Sequence, residues 1–202
     1  MGKVNETIKH AICEVTKELN LAQYPTIQMD EENKSYVMAA SGKVYTQGFF
    51  NSKTVVKTEC NYILSINKGT TLRMMKRYAR LFGNSKVKYD FLYLIICHDL
   101  RHMWQFQEQF QVGEHYDDFN LTGMFHGHGS SDVETDANYW MIQKGIEKGI
   151  GSLAKFFEME QCSDGISNKF DKEFRKELKG RFLEALKDYN KLYYVIFRII
   201  LF

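Results

Sequence analysis

Two histidines stand four residues apart in the middle of an apolar run, FLYLIICHDLRHMWQFQEQ, over 91–109. On a helix His98 and His102 share one face, with Cβ atoms roughly 5–6 Å apart, and imidazoles so placed can ligate one metal ion. Phe91, Leu94, Ile95, His98, His102 and Gln105 follow helical spacing, so the histidines extend an inward-facing line. A buried polar group without a partner costs about 1–3 kcal/mol, and a shared ion would satisfy both rings. Two core histidines without metal are the plainer reading of the pair alone, because H-x-x-x-H is a short motif. Asp99 sets a carboxylate directly after the first histidine.

A second segment, SDVETDANYWM over 131–141, supplies acidic groups. Ser131 is expected to open a helix running to about Lys148, on which Glu134, Ala137, Asn138 and Met141 share a face. Ala137 is small enough to let this helix approach another. Glu134 can be a third ligand, with Asp136 as the alternative if the helix is rotated. Glu134 also fits a capping box with Ser131, S-x-x-E, and one carboxylate cannot fully serve both roles. Between them, GEHYDDFNLTGMFHGHG reads as a lid or binding loop, where His126 and His128 are further candidate donors and His115 stands nearby.

HDLRH followed by the Glu134 helix resembles the zincin metallopeptidases, of the gluzincin type with a minigluzincin-like core. The resemblance covers about 36–150 and is specific at a dozen positions. It implies a zinc ion held by His98, His102 and Glu134, and a protein or peptide substrate hydrolysed through a metal-activated water, with Asp99 as general base. It also implies that Asn138, one turn after Glu134, orients a histidine ligand where gluzincins often carry aspartate. Those enzymes have glutamate where this chain has Asp99, a reach shorter by about 1.5 Å. Two other readings use the same residues. One is a non-catalytic zincin-fold protein with a binding or regulatory role. The other is an HD-type phosphohydrolase, which IICHDL also resembles, although that family needs another upstream histidine and only His10 precedes the doublet.

Composition narrows the partners. With 27 basic and 25 acidic residues and a net charge of +2, the chain lacks the basic field of a nucleic-acid binder. Cys13, Cys60, Cys97 and Cys162 are scattered, so neither a disulfide framework nor a cysteine zinc site is indicated. The N-terminus has no apolar signal region, and a cytoplasmic location is the default expectation. At 202 residues one domain is expected over 1–202, with a zincin-like core at about 36–150 and a helical C-terminal extension from about 152.

The elements that must position these residues are legible in outline. Val4, Ile8, Ala11, Ile12, Val15 and Leu19 mark an amphipathic helix over 4–20. Thr26–Met29 is a short β-type run. Residues 36–67, rich in Val, Ile, Tyr and Thr, read as a three-stranded meander with a bulge suggested at Gly48, and an edge strand there can accept an extended peptide. Thr70 or Thr71 is expected to cap a helix carrying Leu72, Met75, Tyr78 and Phe82, stopped at Gly83 and Asn84. Its basic face, Arg73, Lys76, Arg77 and Arg80, reads as solvated. A short helix near Leu153–Met159 and a long one from Phe170 follow, ending in LYYVIFRIILF. Eleven residues fall short of the roughly 20 a membrane span requires, so docking on the core or on a second copy of the chain is expected. The fold class is α+β, with a small antiparallel sheet over a central metal-binding helix and helical C-terminal packing.

Overall fold

The N-terminal stripe forms α1 (Gly2–Glu18), with Ile8, Ala11, Ile12, Val15 and the following Leu19 all buried. The computed structural model describes residues 2–31, 36–47, 54–109, 132–157, 180, 183–184, 186–187 and 191–201. After α1 come β1 (Thr26–Met29), β2 (Met38–Gln47) and β3 (Thr54–Ile66), then α2 (Lys68–Leu81), α3 (Val87–Gln107) and α4 (Asp132–Glu147). Residues 151–157 form α5, and Lys191–Leu201 form α6. The architecture is α+β.

The expected meander resolves into two long strands. β2 and β3 pair antiparallel, and β1 joins β3 in parallel at its other edge, giving the order β1-β3-β2. The sheet is therefore mixed, because the Thr26–Met29 run is added to the antiparallel hairpin and does not stand apart from it. Between the pairs Ala40↔Leu64 and Gly42↔Cys60, one residue of β2 faces three of β3, and Tyr62 there takes a positive φ of 49°. This bulge bends the hairpin where it lies on α3. Gly48, the bulge position suggested by sequence, lies outside the described residues.

α2 starts earlier than its threonines suggest. Asn67 caps it, its side-chain oxygen accepting the Thr70 N–H at 2.8 Å. Thr71 is buried inside the first turn, and its hydroxyl donates to Asn67 O at 2.7 Å and Val37 O at 3.0 Å. Asparagine wins because it stands where the extended backbone of β3 gives way to helix. Beyond α2, Gly83 takes φ +60° and turns the chain.

α3 carries the inward-facing line and is buried on most of its surface besides, since α1, α2, α4, β2 and β3 all lie against it. Below its N-terminal half, Tyr78 of α2 stacks on Phe91 at 4.8 Å between ring centroids, with Phe156 and Phe157 of α5 closing the cluster at 5.6 and 5.3 Å from Tyr78. At its C-terminal end, Thr58 Oγ1 donates to Phe106 O, and the Gln107 amide ties Ala22 N and Asn20 O to the helix. Phe197 of α6 packs at the edge of the core, while Leu192, Ile199 and Ile200 are exposed. Cys13, Cys60 and Cys97 are free thiols, and Cys162 lies outside the described residues. No helix among the described residues is long and apolar enough to cross a membrane.

Two glycines test this packing with opposite signs. A Cβ on Gly145 of α4 would lie 2.6 Å from Ala154 Cβ and 3.1 Å from Leu94 Cδ2. Gly145→Ala is therefore expected to destabilise by about 1–3 kcal/mol through overpacking. Gly69, exposed in the first turn of α2, has no atom closer than 3.6 Å. Gly69→Ala should stabilise by up to about 1 kcal/mol. Urea unfolding of both variants checks the pair.

Candidate metal centre

The site is built by two helices that meet at their polar residues. α3 carries the histidines in mid-helix, and α4 packs against it with Ala137, one turn after Glu134, fully buried. This packing brings Glu134 onto the histidine pair. His98 Nε2 and His102 Nε2 are 3.0 Å apart. Glu134 Oε2 lies 3.3 Å from the first and Oε1 3.2 Å from the second. A tetrahedral ion about 2.0–2.1 Å from each donor separates its ligands by about 3.3 Å, and one ligand atom from each of these three residues lies within 4.8 Å of the others. His98, His102 and Glu134 are the group among the described residues that can hold a metal ion.

The donor set also fits a cation chemically. Two neutral nitrogens and one carboxylate suit borderline metals, whereas hard ions such as calcium prefer six or more oxygens. His102 and Glu134 are buried and His98 half-buried. Burial would depress the His102 ring, but the Glu134 carboxylate lifts it to about 9, helped by Asp99 and Gln105. The Glu134 carboxylate thus favours positive charge beside it.

Asp99, between the two histidines in sequence, reaches the backbone of β2. It is 5 % exposed and accepts the Ala40 backbone N–H. Burial pushes its carboxyl up to about 6, against the pull of His98 and His102.

Asp136 lies outside the His98, His102 and Glu134 group. It takes a two-pronged ion pair from Arg101, Nε to Oδ2 at 2.8 Å and Nη2 to Oδ1 at 3.0 Å, and Gln105 Nε2 adds a third bond at 2.7 Å. The Arg101 guanidinium in turn lies 3.7 Å over the Trp104 ring. Asn138 is buried one turn after Glu134, and among the described residues its Oδ1 meets no hydrogen-bond donor, so none of the histidine orientation expected of it is seen there. Gln105 meets a histidine instead: its Oε1 lies 2.8 Å from His102 Nδ1. In the sequence Gln105 is one more position on the helix stripe, and Arg101 has no metal-ligating chemistry to mark it. The signal for Gln105 was its position three residues after His102, on the same face. Ser131, His115, His126 and His128 lie outside the described residues. The capping box is therefore not described, although both Glu134 oxygens face the histidines.

Fold and site together define the class of protein: an α+β chain with a two-helix His-His-Glu centre. No protein-family model, curated protein or solved structure matches the chain.

Glu134 and Asp136 are expected to respond differently to loss of charge. At a zinc concentration about 100 times Kd, binding adds about 2.7 kcal/mol to stability, or about 5–10 °C in a chain this size. Glu134→Gln should lose most of that increment, because an amide oxygen carries no charge to the ion. Asp136→Asn should lower the melting temperature of the metal-free protein but keep the zinc increment. Thermal melts with and without zinc read both.

Proposed function

We propose that this chain is a zinc-dependent peptidase of the gluzincin type. The observation that carries the reading is the triangle of residues His98, His102 and Glu134, whose ligand atoms lie within 4.8 Å of one another on two packed helices beside a sheet. His98 and His102 offer neutral nitrogens and Glu134 supplies the charge, which leaves one side of a tetrahedral site open. A bound zinc ion supplies Lewis acidity and makes a hydrolytic nucleophile available near neutral pH. Asp99 is next in sequence to a ligand and buried, and its role is to accept and return a proton. β2 is at the edge of the described sheet and lies along α3, so its outer backbone groups suit an extended peptide.

One observation favours a second reading. Asp99 already accepts the Ala40 N–H and is almost closed to solvent, which suits a structural tie between α3 and β2. On that reading the chain binds metal and acts as a binding or regulatory module.

The two readings separate on Asp99 variants assayed against a broad peptide library, with metal content measured in parallel. For the peptidase, Asp99→Asn should reduce cleavage by 10²-fold or more at unchanged zinc content, and Asp99→Glu should retain or raise it. Cleavage by neither the wild type nor Asp99→Glu, with zinc bound in both, would select the binding module. Absence of bound zinc after exposure to the free ion would overturn both.

A further inference from the structure

The orientation of the Gln105 side chain follows from what surrounds it. Its Nε2 lies 2.9 Å from Val133 O and 2.7 Å from Asp136 Oδ2, while its Oε1 lies 2.8 Å from His102 Nδ1. Val133 O can only accept. The Asp136 carboxylate is already engaged by Arg101, which can only donate. Two acceptors on one side require the amide NH2 there, with one hydrogen for each. Turning the amide over would set an oxygen against two oxygens in a buried space, where Gln105 is 2 % exposed. The amide oxygen is therefore turned to His102, and since it can only accept, Nδ1 must carry a hydrogen. The nitrogen left for ligation is Nε2, the one that faces His98 and Glu134.

We propose that Gln105 is the positioning residue of this centre: it fixes His102 as the Nδ1–H ring with Nε2 presented to the ion. Through Val133 and Asp136 it also ties that choice to where α4 stands, and so to the position of Glu134. A carboxylate at 105 would accept from Nδ1 equally well. It would have nothing to donate to Val133 O, however, and would set its charge against Asp136. Glutamine combines one acceptor with two donors in the geometry this helix contact needs. The consequence for metal rests on the reading of His98, His102 and Glu134 as ligands; the hydrogen on Nδ1 does not.

The test uses the full chain with ¹⁵N-labelled histidine, metal-free and with zinc alone. Long-range proton–nitrogen spectra report which ring nitrogen carries hydrogen and which meets zinc, and competition with a chromophoric chelator gives affinity. In the wild type, His102 is expected to keep hydrogen on Nδ1 in both states and to bind zinc through Nε2. Gln105→Met, of similar length but without an acceptor, should weaken zinc binding by about 10- to 100-fold. Gln105→Glu keeps the acceptor and should stay within about tenfold of wild type in affinity, while its metal-free melting temperature falls. A merely structural role would lower affinity in step with melting temperature in both variants, and that result overturns the proposal. So does hydrogen on Nε2 alone in the wild type, zinc on Nδ1, or wild-type affinity in Gln105→Met. If Gln105→Met does not fold, Gln105→Glu and the wild-type spectra decide. If the wild type takes up no zinc, the metal reading fails, and the metal-free spectrum still decides the position of the hydrogen.

Discussion

A helix that carries two imidazoles and two carboxylate-facing positions into a nearly dry interior must find a partner for each polar group, and the packing around α3 follows from that demand. Transferring an unpaired charge out of water is prohibitive, so such groups are paired, neutralised or bound to metal. His98 and His102 are met by Glu134, His102 is met again by Gln105, and Asp99 is met by the backbone of Ala40. Those partners come from three different elements. Meeting them requires α4 on one side of α3 and β2 on another, which is the arrangement the chain adopts.

The apolar part of the fold holds those elements at the necessary distance. The ring cluster of Tyr78, Phe91, Phe156 and Phe157 fixes the N-terminal half of α3 against α2 and α5. At the far end, Gly42 of β2 lies so close to Phe106 that a Cβ would stand 2.6 Å from the ring. That approach seats the hairpin on the helix near Ala40. On α4, Gly145 does the same for the other side, where a Cβ would stand 3.1 Å from Leu94 Cδ2 of α3. Small residues at both contacts let backbones close to distances at which short polar side chains can reach across.

The charges outside the triangle reinforce the same geometry. Arg101 and Asp136 make a forked pair between α3 and α4, with the guanidinium lying over Trp104. Lys144 of α4, which is buried, pairs with Glu18 of α1 and Glu147. The site is thus held by hydrogen bonds with restrictive geometry as well as by packing. A small rotation of α4 would break the Asp136 fork, the Gln105 bonds and the Glu134 contacts together.

The amino-acid sequence by itself determined the elements and most of the donor set. α1, α3 and the Glu134 helix follow from residue periodicity, because spacings of three and four place side chains on one helix face whatever the rest of the chain does. For the same reason His98 and His102 were legible as a pair, and the motif order pointed to Glu134 as their acid. What the tertiary structure alone decided are the matches between elements. It joined Thr26–Met29 in parallel to β3, chose Asn67 over the threonines as a cap, gave Asp136 to Arg101 and turned Gln105 to His102. Each of these depends on how two elements rotate and slide against one another. That is set by the summed packing of many side chains, and local spacing does not encode it.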